Sequence, residues 1–166
     1  VPVVSTYYSN TILCTSHSKD LGIPGERIGH IAVSPQAADA AEIVNGMAFT
    51  IRTLGFVNAP ALMQRVVAHV LDSSVDIEFY RLNRDTLYEE LRALGFQLTK
   101  PEGAFYLFPK SPIEDDIAFV RQLQKHHILT VPGSGFGTPG YFRISYSVER
   151  DILERSLPVW AEAARE

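Results

Sequence analysis

Ser16-His17-Ser18-Lys19-Asp20-Leu21-Gly22-Ile23-Pro24-Gly25-Glu26-Arg27-Ile28-Gly29 joins two apolar runs, Ile12 to Thr15 before it and Ile28 to Val33 after it. The runs read as strands over about 11–15 and 27–33. Neither alternates cleanly, which predicts strands covered on both faces. Strand ends that deliver polar groups into a loop are where α/β folds place ligands. This loop delivers hydroxyls from Ser16 and Ser18, an amine from Lys19 and a guanidinium from Arg27. Hydroxyls and an arginine fork hydrogen-bond phosphate oxygens. A lysine held near a second cation loses part of its protonation and becomes a nucleophile toward carbonyls. A solvated hairpin with ordinary surface charges is the plain alternative, and composition does not decide between the two.

Composition sets the outer bounds. The chain has 166 residues, enough for one domain or for a small domain plus a piece of another. Hydrophobic residues at 46% and charged residues at 20% are those of a globular sequence able to bury a core. A formal charge of -4 with scattered Lys and Arg excludes a nucleic-acid footprint. No apolar run approaches the roughly 20 residues that cross a bilayer. The opening Val-Pro-Val-Val lacks the basic segment of a signal peptide. A single cysteine, Cys14, excludes an internal disulfide, and this predicts a reducing, cytoplasmic setting. Lying inside an apolar run, Cys14 is expected to be a small buried hydrophobe.

Residues 1–10 read as irregular. Ser34-Pro35 is an N-cap signal, predicting a helix from Ala37 to Leu54 closed by Gly55. Asn58-Ala59-Pro60 opens a second helix. Its stripe (Leu62, Met63, Val66, Val67, Val70, Leu71) is wide enough to pack on two sides. A soft boundary at Asp72-Ser73-Ser74 precedes a long helix bearing Ile77, Tyr80, Leu87, Leu91 and Leu94, with Arg84 its one polar member, ending at Gly95. The period then changes. Phe96 to Leu98 and Ala104 to Phe108 read as strands. Ser111-Pro112-Ile113-Glu114 is a capping box that predicts a helix start. Ile128 to Val131 and Tyr141 to Tyr146 read as strands, and Ser147 as the cap of a final helix kinked or restarted at Pro158. This order predicts an α+β layer domain with helices covering one sheet.

Four segments then line up in a recognisable order. Ser16-x-Ser18-Lys19 is followed eight positions after the lysine by Arg27-x-Gly29. Next come Pro101-Glu102-Gly103-Ala104-Phe105-Tyr106, Val131-Pro132-Gly133-Ser134, and Phe142-Arg143-Ile144-Ser145-Tyr146. Together they resemble the fold type I, class I/II aminotransferases that depend on pyridoxal 5'-phosphate, and the resemblance covers the C-terminal part of such an enzyme. It implies an α/β fold overall. Residues 1–75 would be a remnant of the large cofactor-binding domain, its last strands and helices with the lysine loop. Residues 76–166 would be the C-terminal small α+β domain.

The same resemblance implies roles. Lys19 would hold the cofactor covalently and shuttle the proton at the substrate α carbon, which needs an amine that is neutral part of the time. Ser16, Ser18 and Arg27 would bind the cofactor phosphate. Arg143 would grip the substrate carboxylate, with Gly103 and Phe105 lining the substrate side. A protein carboxylate paired with Arg143 is the alternative, because a charge in an apolar strand needs a partner. The implied partners are an amino acid, a 2-oxo acid and a second copy of the chain. A lyase or decarboxylase of the same fold, or a non-catalytic dimerisation module, are competing readings. The aspartate that partners the cofactor's ring nitrogen lies upstream of the lysine in this family, so the chain alone is expected to be nearly inactive. No spacing here resembles a metal site or a nucleophile elbow.

Overall fold

The computed structural model describes residues 3–163, and the chain divides into two compact units, Val1–Val75 and Asp76–Glu166. In the first unit, β1 (Ile12–Ser16) pairs antiparallel with β2 (Gly29–Val33), Ile12 opposite Val33 and Ser16 opposite Gly29. Between them lie α1 (His17–Asp20), a single turn, and a 3-10 turn at Pro24–Glu26. Gly29 is required by close approach: a Cβ there would lie 2.2 Å from the Thr15 carbonyl oxygen. The second strand is shorter than expected because Arg27 adopts a left-handed backbone (φ 51°), which cannot continue a ladder.

Two helices follow, α2 (Ala40–Thr53) and α3 (Ala61–His69). The Ser34-Pro35 signal does not start α2. Ser34 instead closes a tight turn, its carbonyl accepting from Ala37 N–H at 3.0 Å and its hydroxyl from Gln36 N–H at 3.3 Å. The predicted two-sided burial of the first unit is not met within this chain. Cys14 is exposed, as are Leu13 and Ile31, and of the α3 stripe only Val67 is buried. Among the described residues the hairpin has just two strands, too few to make a sheet covered on both faces. The irregular opening contains a short 3-10 turn at Val4–Thr6; residues 1 and 2 lie outside the described residues.

The second unit begins with α4 (Ile77–Ala93), capped by Asp76, whose carboxylate accepts from Phe79 N–H at 3.1 Å. Then come β3 (Tyr106–Leu107), α5 (Asp116–Lys125), β4 (Val131–Pro132), β5 (Phe142–Ser145) and α6 (Arg150–Ala163). The strands form one antiparallel sheet ordered β3-β5-β4. Its core gathers Leu91, Phe96, Phe119, Leu123, Phe142 and Trp160. Phe142 sits at the centre, its ring 5.1 Å from Phe119, 6.0 Å from Phe96 and 6.2 Å from Trp160. Phe96 to Leu98 is not a strand; Gln97 contributes one carbonyl, bonded by Lys110 N–H at 2.8 Å. α6 runs unbroken through Pro158, with Leu153 and Trp160 buried on either side of it. α6 starts at Arg150, beyond Ser147, whose N–H donates to the Ser145 hydroxyl at 3.3 Å.

The capping box at 111–114 goes unused. Ser111 is drawn into the sheet region, its N–H donating to Gly140 at 2.8 Å, and its buried hydroxyl has no hydrogen-bond partner. Asp115 caps α5 instead, accepting from Ala118 N–H at 2.9 Å. Asp115→Ala is therefore expected to cost about 1 kcal/mol, whereas Ser111→Ala costs nothing measurable, because no hydrogen bond is lost. Urea unfolding followed by the fluorescence of Trp160 checks this ordering, and the reverse order restores the box.

On α4 the buried polar residue is Asn83, not Arg84. Its amide donates to the carbonyls of Tyr146 (3.2 Å) and Val148 (2.8 Å), tying the helix to the end of β5. Arg84 is half-buried, donating to Asp85 at 2.8 Å and to the Pro101 carbonyl at 3.2 Å. That Arg84 bond, aided against desolvation by Lys100 at 3.0 Å, holds the Asp85 carboxyl down to about 2 from 3.8. A depressed carboxyl stabilises the fold above its unfolded value and ceases to do so as pH falls through the folded one. The melting temperature should thus drop between about pH 4 and about pH 2, and Asp85→Asn should flatten that drop. An unchanged slope in the variant contradicts the assignment.

Candidate functional site

β1 ends where its backbone turns from extended at Ser16 (φ -146°, ψ 133°) into α1. Ser16 caps that turn: its Oγ accepts from Ser18 N–H at 3.3 Å and lies 2.8 Å from Ser18 Oγ. Lys19 follows directly on the same turn and is exposed. The turn is fixed from beneath by His17, which is buried. His17 N–H donates to the Ile28 carbonyl at 3.0 Å, its carbonyl accepts from Ile23 N–H at 3.3 Å, and its Nδ1 lies 3.0 Å from the Asp20 carboxylate. Desolvation pushes the Asp20 carboxyl upward, but the bonds from His17 and from Leu21 N–H outweigh it and leave it below its ordinary value. Arg27 closes the loop, exposed, with Nη1 donating to the Pro24 carbonyl at 2.9 Å.

Ser16, Ser18, Lys19 and Arg27 thus share one hairpin tip. Two hydroxyls in mutual contact, with a guanidinium carried by the same loop, are donor types suited to a doubly charged phosphate. Lys19 adds a primary amine to the same turn, so the residue types present fit a phosphorylated aldehyde cofactor. A cleft of about 900 Å³ opens between the hairpin and α2 and α3. Arg27, His17 and Asn58 line it, whereas Ser16, Ser18 and Lys19 do not.

The second unit holds the other constellation. Arg143 lies on β5 between buried Phe142 and Ile144, itself half-buried. Its guanidinium carbon is 4.4 Å from the centroid of the Tyr106 ring and 4.4 Å from that of Phe136. Aromatic faces, not a carboxylate, hold this cation among the described residues. Gly103 is exposed, and Phe105 is half-buried with its ring stacked on Tyr80 at 5.7 Å. The loop between them is strained at Ala104 (φ 56°). Tyr146 pins it, its hydroxyl donating to the Ala104 carbonyl at 3.0 Å and its N–H to the Phe105 carbonyl at 3.1 Å. Burial pushes the Tyr146 hydroxyl above its ordinary value, which keeps it a donor.

The sequence profile described as "Aminotransferase class I and II" matches residues 3–157, a span that includes every residue of both constellations. The chain belongs to the class I and II aminotransferases. This aminotransferase chain is 31% identical over 159 residues to a probable aspartate aminotransferase of Methanocaldococcus jannaschii, covering 91% of this chain and 42% of that protein. Among solved structures it is similar to an amino transferase from Eubacterium rectale, with a TM-score of 0.90 and 41% identity, covering 99% of this chain and 42% of the other. An aspartate aminotransferase from Thermotoga maritima matches with a TM-score of 0.79 and 25% identity, covering 93% and 40%. The fold is therefore that of fold type I aminotransferases, and the chain spans about two fifths of the length of these relatives. Among the described residues no helix is long and apolar enough to cross a membrane, and no His, Cys, Asp and Glu cluster suits a metal ion.

Sequence reasoning missed the rings around Arg143 and the buried place of His17 beneath the lysine turn. A signal for Tyr106 was available, since an aromatic one strand away from a lone arginine is a natural partner. Phe136 offered none, because it lies in a Gly-rich loop whose course is set by tertiary contacts.

Proposed function

We propose that this aminotransferase chain is the C-terminal part of a pyridoxal 5'-phosphate enzyme that moves an amino group between an amino acid and a 2-oxo acid, working in the cytoplasm as a homodimer. The observation that carries the reading is the α1 turn, where the Ser16 and Ser18 hydroxyls meet at 2.8 Å immediately before Lys19, inside the matched family span. The cofactor, when bound, supplies an aldehyde and an electron-withdrawing ring that stabilises charge at the substrate α carbon. Ser16, Ser18 and Arg27 bind its phosphate through short, charge-assisted hydrogen bonds. Lys19 Nζ would hold the cofactor covalently, and as a free amine it would take the proton from the substrate α carbon. Arg143 orients the substrate by a forked grip on its carboxylate. Gly103 and Phe105 bound the substrate side.

Transamination is favoured over elimination or decarboxylation by the names of the relatives, which include aspartate and N-acetyl-LL-diaminopimelate aminotransferases. The test is turnover of amino and 2-oxo acid pairs by the complete polypeptide that contains this chain. A new 2-oxo acid is expected. The 166-residue chain by itself should fall lower by on the order of 10³-fold or more, the size of effect that follows loss of a single electrostatic stabiliser. Release of ammonia or carbon dioxide in place of a 2-oxo acid overturns the reading.

A further inference from the structure

Arg143 is held in a way that a simple surface cation is not. Both the Tyr106 and Phe136 centroids lie 4.4 Å from its guanidinium carbon. Tyr106 is placed by the sheet, since β3 pairs with β5 and sets Tyr106 opposite Ser145. Phe136 has no such frame. It ends the 3-10 turn Gly133–Phe136, is half exposed, and meets Phe108 only edge-on at 6.4 Å.

Something else must fix that turn, and the structure supplies it from α5. Asp116 is 4% exposed, and its carboxylate accepts from Ser134 N–H at 2.8 Å. Further along, Gly133 N–H donates to the Tyr141 carbonyl at 2.7 Å, and Thr138 N–H to the Gly133 carbonyl at 2.9 Å. No side chain fits at position 133, where a Cβ would lie 2.3 Å from the Thr138 carbonyl oxygen. A buried carboxylate with a single ionic form to satisfy is a stiff anchor, since leaving it unbonded is costly.

We propose that Phe136 is a positioning residue which, with Tyr106, presets the plane of the Arg143 guanidinium, and that buried Asp116 anchors the turn carrying Phe136. The grip is then formed before a carboxylate arrives, and the ordering of a long side chain is not charged against binding. This inference rests on the reading of Arg143 as the carboxylate grip.

The experiment uses the 166-residue chain, labelled with ¹⁵N, and follows the Arg143 Nε–Hε resonance, assigned by its loss in Arg143→Lys. Succinate is the probe. In the unsubstituted chain the resonance is expected to be displaced by the two ring currents and to shift further with succinate. Phe136→Leu should move it toward the position of a free arginine and weaken succinate about three- to tenfold, the scale of one partly desolvated cation–π contact. Phe136→Tyr, which keeps a ring, should restore both. Asp116→Asn, a change made on α5, should move the resonance in the same direction as Phe136→Leu while Trp160 fluorescence reports an intact core. Leucine and tyrosine variants that behave alike overturn the role of Phe136. An Asp116→Asn chain with an unmoved resonance, or one whose core unfolds, assigns that carboxylate to the fold and overturns its anchoring role. Succinate binding that survives Arg143→Lys refutes the carboxylate grip instead, and leaves the resonance shifts to decide the positioning separately.

Discussion

Lys19→Ala, made in the complete polypeptide, is expected to abolish the yellow colour that pyridoxal phosphate gives with the protein and to cut transamination by about 10²–10⁴-fold or more. Two proposed roles of Lys19 combine in that figure: the covalent hold on the cofactor and the base that moves the α-carbon proton. Lys19→Arg should not rescue either, because a guanidinium stays protonated at all working pH values and cannot attack a carbonyl. Ser16→Ala should act differently. It removes the cap that receives Ser18 N–H and, on the proposed reading, one phosphate bond, so it should weaken cofactor retention by roughly tenfold and leave some turnover. Absorbance spectra and single-turnover assays separate the two phenotypes. A Lys19→Ala protein that keeps its colour contradicts the account.

Phe142→Ala should have the largest effect on stability. The ring is fully buried between Phe119, Phe96 and Trp160, and removing it leaves a cavity that neighbouring rings cannot fill. Such a truncation costs about 3–5 kcal/mol, against a total of roughly 5–15 kcal/mol for a domain. The single tryptophan, Trp160, lies within the same core and reports the loss directly in a urea titration. Phe49→Ala on α2 is the control: that ring is 70% exposed, and its removal should change the unfolding free energy by no more than about 0.5 kcal/mol. Equal effects at the two positions rule out the core described here.

Those contrasts also mark what the sequence made legible. The lysine loop, the helices α4 and α5, and the strand bearing Arg143 were readable because local signals agreed with tertiary structure: period, glycine stops and motif order. The capping box failed where a backbone bond from Ser111 to Gly140, made across the fold, outcompeted a local preference. Asn83 was overlooked because a polar residue on an apolar stripe reads as an interruption, although its two carbonyl partners are distant in sequence. Cys14 and the α3 stripe read as interior because their neighbours are apolar, and a composition reading cannot tell whether a second layer is present. At the candidate site, Ser16, Ser18, Lys19 and Arg27 were visible as chemistry. The support from His17 and Asp20, and the rings facing Arg143, depend on turns that only the folded chain defines.

The central claim concerns one amine. Reduction of the pyridoxal-phosphate-treated complete polypeptide with borohydride, followed by peptide mass mapping, fixes the attachment point permanently. The account predicts the pyridoxyl group on the peptide containing Lys19. Attachment at Lys100, Lys110 or Lys125 in its place, or no modified peptide at all, contradicts it.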